Sequence, residues 1–127
     1  MRLLLDTHVA LWAVTDSPAL SGKARQLILD ADEVHVSVAS VWEIAIKRAL
    51  PRGDMPVTSA QAVAAFEEAG YLMLSVKTAH VLQLENLPAL HADPFDRLLV
   101  AQALSEPLTL LTGDRLLASY SSTIVRI

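Results

Sequence analysis

The 127-residue sequence contains no cysteine and few aromatic residues. Without cysteine the chain can form no disulfide framework, no thiolate metal site and no cysteine nucleophile, so any bound metal needs oxygen or imidazole ligands. Aromatic residues make up 5% of a chain that is 53% hydrophobic. The core must therefore be built mainly from Leu, Val, Ala and Ile, which suits helices packed on a sheet.

Long hydrophobic runs are also missing. No stretch approaches the roughly 18 apolar residues that a membrane-spanning helix requires. The apolar beginning of the chain is interrupted by Asp6 after three leucines, which is too early for the hydrophobic core of a signal peptide. We therefore expect a cytoplasmic protein that makes no contact with a membrane, folded as one domain over residues 1–127.

Positive charge is scarce as well. Ten Lys and Arg residues stand against 14 Asp and Glu residues, which gives a net charge of −4. A module that grips DNA or RNA only through its phosphates is usually basic, so this balance argues against such a module. It remains compatible with a nuclease, because bound divalent cations reverse the sign of an acidic pocket.

The hydrophobic pattern predicts strands that alternate with helices. Short apolar or β-branched runs indicate strands at residues 2–5, 34–38, 71–75, 109–112 and 123–127. Helical spacing indicates helices at residues 7–16, 21–30, 40–50, 59–69 and 77–84 and after residue 93, and residues 51–56 form the one clear loop. Such alternation implies βαβ crossovers and therefore an α/β fold with a mostly parallel sheet.

Four carboxylates fall where strands end and helices begin. Asp6 follows the first strand and Asp114 a late one, while Glu43 and Asp96 are predicted in the first turns of helices. Because parallel α/β folds bind ligands at the carboxyl ends of their strands, we expect the four side chains to meet at one sheet edge. Carboxylates suit Mg²⁺, which would offset their mutual repulsion, activate a water molecule and stabilise an attacked phosphodiester. The pattern predicts a small metal-dependent nuclease.

Each acid also has a structural interpretation. Glu43 has capping-box spacing from Ser40, and Asp96 would favour the dipole of its helix. Asp114 could serve a turn or a cap, and Asp93, which precedes Pro94, is best explained as a helix N-cap alone. Asp6 is the hardest to explain in this way, because a carboxylate closing a buried strand needs partners. The joint placement of the four acids favours a site.

Two histidines lie beside the acidic motifs. His8 and His91 could be metal ligands or proton shuttles, but hydrogen-bonded structural histidines are the preferred interpretation, because the carboxylates already suffice for Mg²⁺. Trp12 and Trp42 stand among apolar residues, so we expect them in the core or at a dimer interface rather than stacked on bases.

Basic residues near the acids have two interpretations each. Arg97 could contact phosphate or pair with a neighbouring carboxylate. Lys47 and Arg48 follow Glu43 by about one helical turn, and could contact an RNA backbone or lie on a solvated helix face.

The residues around the four acids resemble those of the PIN-domain ribonucleases, in particular the VapC-type toxins of bacterial toxin–antitoxin pairs. The matching blocks occur in the family's order and extend from one end of the chain to the other. They are Leu5-Asp6-Thr7-His8 with Leu11-Trp12, Ser37-Val38-Ala39-Ser40-Val41-Trp42-Glu43-Ile44 with Lys47, His91-Ala92-Asp93-Pro94-Phe95-Asp96-Arg97 with Ala101-Gln102-Ala103, and Leu111-Thr112-Gly113-Asp114.

The resemblance implies a three-layer α/β/α sandwich with a mostly parallel central sheet, and cleavage of RNA that depends on Mg²⁺ or Mn²⁺. It implies that the acidic quartet forms the catalytic metal site. Asp6 and Asp96 are then the direct metal ligands, while Glu43 and Asp114 complete the site directly or through water.

The resemblance also implies supporting residues and partners. Thr112 matches a hydroxyl position that could bond a carboxylate or a bound water, and Thr7 and Ser40 are placed in the same supporting role. The expected partners are an RNA substrate, a cognate antitoxin protein and a second copy of the chain in a homodimer. The sequence departs from the family at residues 48–55, where a proline and an aspartate replace a simpler glycine-and-basic turn. Substrate or partner contacts are therefore in doubt there.

Three other functions also place acidic residues at such positions or use them in caps. A non-catalytic PIN-like module that binds protein or RNA would use the acids only for caps and turns. A phosphoaspartate receiver needs paired acids after its first strand and a lysine after a late one, and neither is present. A haloacid-dehalogenase-type phosphatase needs Asp-x-Asp, whereas this chain has Asp6-Thr7-His8.

Overall fold

A computed structural model describes residues 1–127 and contains one sheet of five parallel strands. The strands are β1 (Arg2–Leu5), β2 (Glu33–Ser37), β3 (Leu72–Leu74), β4 (Thr109–Thr112) and β5 (Val125–Arg126). Their order across the sheet is β3-β2-β1-β4-β5, and all four pairings are parallel. The prediction of a mostly parallel sheet is confirmed, with the predicted last strand at one edge.

Seven α-helices connect and cover the strands. They are α1 (Thr7–Val14), α2 (Gly22–Asp30), α3 (Val38–Arg48), α4 (Ser59–Glu68), α5 (Thr78–Gln83), α6 (Pro94–Ser105) and α7 (Arg115–Ala118). A 3₁₀ turn at Leu84–Asn86 follows α5. The short helix α7 was not predicted. None of the helices has the length and hydrophobicity needed to cross a lipid bilayer.

The central strand β1 divides two hydrophobic cores. Leu3 and Leu5 belong to one core, and Leu4, which points to the other face, belongs to the second. This alternation is the two-residue period of a strand buried on both sides. The first core takes in buried residues of α1, α2, α3 and α4, and the second those of α6 and α7. Helices therefore cover both faces of the sheet, and the three-layer α/β/α sandwich is confirmed.

Helix α3 begins earlier than the sequence predicted. The hydroxyl of Ser37 accepts a hydrogen bond from the backbone N–H of Ala39 at 3.0 Å, which makes Ser37 the N-cap. The predicted capping box between Ser40 and Glu43 is therefore wrong, and Glu43 lies beyond the first turn. Both serines can cap a helix, and the earlier one does so because Ser40 instead faces Thr7, with the two hydroxyl oxygens 2.8 Å apart.

The predicted loop at residues 51–56 is present and is fixed at two points. Met55 is buried against the first core. The guanidinium of Arg48 donates to the backbone carbonyl of Met55 at 2.8 Å. Gly53 takes a positive φ of 59° at the turn, a conformation that costs glycine less than other residues. These contacts give the loop a defined shape beside the end of α3.

Candidate active site

The carboxyl ends of β1 and β4 bring acidic residues together. The two strands are neighbours, so Asp6 and Asp114, each just after its strand, face the same edge of the sheet. Asp96 joins them from the first turn of α6. The three acids line one cleft of about 410 Å³, which is formed by Asp6, His8, Trp12, Asp96, Gly113 and Asp114. Glu43 does not line this cleft but lies close enough for its charge to act on Asp96.

Asp6 is buried and has a partner for each of its oxygens. Its Oδ1 accepts from the backbone N–H of Val9 at 2.8 Å and so caps α1. Its Oδ2 accepts from the Thr112 hydroxyl at 2.5 Å. Burial raises the pKa of Asp6 above its ordinary value, although both hydrogen bonds act in the opposite direction. A nearby cation would relieve the remaining cost of holding this charge.

Glu43 is almost fully buried, at 2% exposure, and is held between a hydroxyl and an ammonium group. Its Oε1 accepts from the Thr7 hydroxyl at 2.7 Å, and its Oε2 lies 2.6 Å from Nζ of Lys47, one helical turn away. The hydrogen bond with Glu43 raises the pKa of Lys47. Lys47 is therefore neither wholly solvated nor free for RNA, since it compensates this acid.

Asp96 has the most perturbed ionisation at the site. Burial, followed by the charges of Asp93, Glu43 and Asp6, raises its pKa to about 7. Asp96 is thus costly to ionise, and it lies in a cleft with other acids. Both properties are expected of a cation-binding site when no cation is bound.

Asp114 divides its oxygens between a helix cap and a histidine. Oδ1 accepts from the backbone N–H of Leu116 at 2.8 Å, and Oδ2 lies 2.8 Å from Nε2 of His91. Burial acts to raise the pKa of Asp114, but these hydrogen bonds outweigh it and the pKa is lowered. Asp6 and Asp114 can therefore each cap a helix and line the cleft at the same time, because each uses only its Oδ1 for the cap.

His91 uses both of its ring nitrogens. Nδ1 accepts from the backbone N–H of Asp93 at 3.0 Å, so the proton of the neutral ring lies on Nε2, which donates to Asp114. Nε2 is also 3.7 Å from Oδ2 of Asp96. His91, Asp96 and Asp114 each offer one possible ligand atom, and these three atoms lie within 4.8 Å of one another. The expectation of a hydrogen-bonded histidine agrees with this geometry.

Asp93 and Arg97 both use their side chains in hydrogen bonds to the backbone. Oδ1 of Asp93 accepts from the backbone N–H groups of Phe95 and Asp96, so Asp93 is the predicted N-cap. The guanidinium of Arg97 donates to the carbonyls of Leu84 and Leu87 at 3.4 Å. Arg97 forms no ion pair in the structure, and its contact with phosphate stays a prediction. Its position after Asp96 directs it towards the 3₁₀ turn.

The two tryptophans differ. Trp42 is 58% exposed and meets the ring of Phe95 edge-on at 4.8 Å, so it is not a core residue. Trp12 packs against the first core, as predicted, and it also lines the cleft, which was not predicted. The signal was available, because positions 8 and 12 are one helical turn apart and so share a face of α1.

The donor set fits a hard divalent cation. It consists of carboxylate oxygens, two of them on acids whose pKa is raised by burial, and hydroxyl groups fix the orientation of Asp6 and Glu43. Oxygen ligands of this kind are preferred by Mg²⁺ and similar ions. The cleft is therefore a candidate metal centre.

Comparison with known proteins agrees with this description. A model of the PIN domain matches residues 3–122. The chain is 35% identical over 121 residues to Ribonuclease VapC22 of Mycobacterium tuberculosis (strain ATCC 25618 / H37Rv), covering 93% of this chain and 91% of that protein.

Solved structures share the fold at low sequence identity. One is VapBC2 from Rickettsia felis bound to a DNA fragment from its promoter, with TM-score 0.70, 13% identity and coverage of 100% of this chain and 98% of that one. Another is DNA-bound VapBC from Salmonella typhimurium, with TM-score 0.68, 16% identity and coverage of 100% and 96%.

Proposed function

The chain belongs to the PIN-domain family, and on that premise we propose that it is the endoribonuclease toxin of a toxin–antitoxin pair. Its 35%-identical relative is named as a VapC ribonuclease. In the proposed activity a divalent cation, Mg²⁺ or Mn²⁺, is held by the acidic quartet, and RNA phosphodiester bonds are hydrolysed. The proposed residues are Asp6, Glu43, Asp96 and Asp114.

The observation that carries the proposal is the burial of Asp96 among other acids. Burial, followed by the charges of Asp93, Glu43 and Asp6, raises its pKa to about 7. If these acids served only as helix caps, we would expect their carboxylates to lie apart. Each cap needs a single acid, and like charges repel. The crowding is explained if a cation neutralises these groups when the protein works.

Each member of the quartet has a distinct task in the proposal. Asp6 and Asp96 bind the cation directly, since both line the cleft and both have raised pKa values. Asp114 binds directly or through water, with His91 fixing its outer oxygen. Glu43, which does not line the cleft, completes the site through water and through its charge on Asp96. When bound, the cation supplies charge stabilisation at the phosphate and makes a water molecule easier to deprotonate.

Three hydroxyl groups support the acids. Thr112 orients Asp6, and Thr7 orients Glu43 and lies within hydrogen-bond distance of the Ser40 hydroxyl. Hydrogen bonds to ligating groups commonly decide metal affinity, because they hold a ligand at its working angle.

The partners follow from the family. The neighbours in fold include VapBC complexes and a structure named as a toxin–antitoxin complex, and we extend an antitoxin partner to this chain. RNA as the substrate, a homodimer, a single domain over residues 1–127 and action in the cytoplasm are further parts of the same proposal.

Cleavage of RNA tests the proposal directly. The purified chain is incubated with random-sequence single-stranded RNA and Mg²⁺ or Mn²⁺, and fragments are sequenced. We expect internal cuts that EDTA prevents and that Asp6→Asn abolishes. Asp30→Asn removes an exposed acid at the end of α2 and is the matched control, which should cleave like the wild type.

Robust cleavage by Asp6→Asn, or in EDTA, would defeat the proposal. If the wild type cleaves nothing and millimolar Mg²⁺ does not raise its melting temperature, the chain is a non-catalytic binding module instead.

A further inference from the structure

A second cavity lies against the acidic cleft. It has a volume of about 420 Å³ and is lined by His8, Lys47, Leu50, Pro51, Arg52, Gly53, Asp54 and Met55. His8 lines both cavities, and Lys47, which lines this one, forms an ion pair with Glu43. The volume is within the usual range for a small-molecule pocket, about 300–1,000 Å³.

The pocket is built by the end of α3 and the loop at residues 51–56. The Arg48 guanidinium holds the carbonyl of Met55, and the Met55 side chain is buried in the core. The loop is thereby fixed at a distance from α3, and the space between them is the cavity. None of the acidic quartet lines it.

The lining combines chemical groups of several kinds. Leu50 and Met55 supply apolar surface, and His8 supplies an exposed imidazole ring. Arg52 and Asp54 supply a donor and an acceptor, and neither forms an ion pair within the protein. Asp54 places an acid in the lining, which disfavours a phosphate or an acidic peptide. Apolar surface beside both a donor and an acceptor suits a nucleobase, which has apolar faces and a polar edge.

We propose that this pocket binds the base of one unpaired nucleotide that flanks the scissile phosphodiester of the RNA substrate. The inference rests on the proposed ribonuclease function. An RNA strand that places a phosphate in the acidic cleft must continue over an adjoining surface, and the pocket adjoins the cleft through His8. The base packs on Leu50 and the His8 ring, while Arg52 and Asp54 bond its edge.

The test is an energetic coupling between pocket and base. Random-sequence RNA first identifies a preferred cleavage bond in the wild type. Short fluorescent RNAs containing that bond are then made abasic at one position at a time. Their affinity is measured by fluorescence anisotropy on an Asp6→Asn background, with and without Arg52→Ala or Asp54→Ala. Lys23→Ala, an exposed residue of α2 that lines neither cavity, is the control.

We expect one flanking abasic position to weaken binding roughly tenfold in the parent and in Lys23→Ala, as the loss of one stacked base does. In Arg52→Ala and Asp54→Ala the same abasic position should cost much less, because the contact is already lost. A change in stability alone would not produce this coupling to one nucleotide.

The inference is overturned if each abasic substitution weakens binding by the same factor in the parent, Lys23→Ala, Arg52→Ala and Asp54→Ala. It is also overturned if Arg52→Ala leaves RNA affinity unchanged but weakens binding of the antitoxin, which would assign the pocket to a protein partner. Cleavage separates this failure from a failure of the function. If the wild type cuts RNA while the pocket variants show no coupling, only the pocket proposal falls.

Discussion

Thr112 donates its hydroxyl proton to Oδ2 of Asp6 at 2.5 Å, and so joins two residues that stand 106 positions apart in the chain. The bond links the carboxyl ends of β1 and β4. Since the other oxygen of Asp6 caps α1, the carboxylate has both oxygens fixed before any ligand arrives. Preorganisation of this kind reduces the cost of binding a cation.

Replacement of Thr112 by valine tests that bond. Thr112→Val keeps the shape and removes the donor, so Asp6 loses an interaction that favours its charged form. We expect the Mn²⁺ concentration for half-maximal cleavage to rise on the order of tenfold. Thr112→Ser keeps the hydroxyl and is the control. If the valine variant requires no more Mn²⁺ than the serine variant, the hydroxyl does not position Asp6.

Asp96 should make the metal-free protein less stable as the pH rises. Its pKa is about 7 in the folded chain, against an ordinary value of 3.8 for the side chain of aspartate. Between those pH values the unfolded chain releases a proton that the folded chain retains, so stability falls from about pH 4 to about pH 7 and then levels. Asn cannot ionise. Asp96→Asn should therefore match the wild type near pH 4 and exceed it at pH 8 by on the order of 2 kcal/mol.

Urea unfolding in EDTA at both pH values measures this difference, and Asp30→Asn serves as the control for loss of an exposed acid. Equal gains for Asp96→Asn at pH 4 and pH 8 would show that the ionisation of Asp96 is not costly.

Lys47 should stabilise the fold through Glu43. Lys47→Met leaves a carboxylate of 2% exposure with the Thr7 hydroxyl as its remaining partner. The Lys47 side chain is itself 39% exposed, so the loss is below that of a fully buried pair, and we expect about 1–2 kcal/mol. Urea unfolding in EDTA at neutral pH measures it, with Lys23→Met as the matched control. A variant as stable as that control would show that the ion pair contributes nothing.

His91 should act on Asp114 rather than on the cation. Because Nδ1 accepts from the Asp93 N–H and Nε2 carries the proton, no ring nitrogen is available as a ligand. His91→Phe should lower kcat about tenfold and leave the Mn²⁺ requirement close to that of the wild type. His91→Gln, which retains an N–H donor, should recover part of the rate. A large rise in the Mn²⁺ requirement for both variants would identify His91 as a ligand.

Local signals in the sequence were sufficient for part of this structure. The apolar run before Asp6 predicts a buried strand that ends at an acid, and Asp93 before Pro94 predicts the start of α6. Both depend on neighbours in the chain. The start of α3 was misplaced because Ser37 and Ser40 are equally good caps, and the choice depends on Thr7, which lies in another helix.

Long-range contacts at the site could not be predicted. The bond from His91 to Asp114 joins residues 23 positions apart, and no periodicity connects them. The second cavity depends on a hydrogen bond from Arg48 to a backbone carbonyl in the loop, which composition does not reveal. The positions of the four acids at strand ends and helix starts predicted the acidic quartet, the resemblance to the family implied their roles, and the structure adds how each acid is held.

Direct measurement of Mn²⁺ binding tests the central claim, that the four carboxylates form one cation site. Free Mn²⁺ is followed by electron paramagnetic resonance as it is titrated into the wild type and into Asp6→Asn, Asp96→Asn, Glu43→Gln, Asp114→Asn and Asp30→Asn. The account predicts that Asp6→Asn and Asp96→Asn bind at least about tenfold more weakly, that Glu43→Gln and Asp114→Asn fall between, and that Asp30→Asn binds like the wild type. Wild-type affinity in both Asp6→Asn and Asp96→Asn would contradict it.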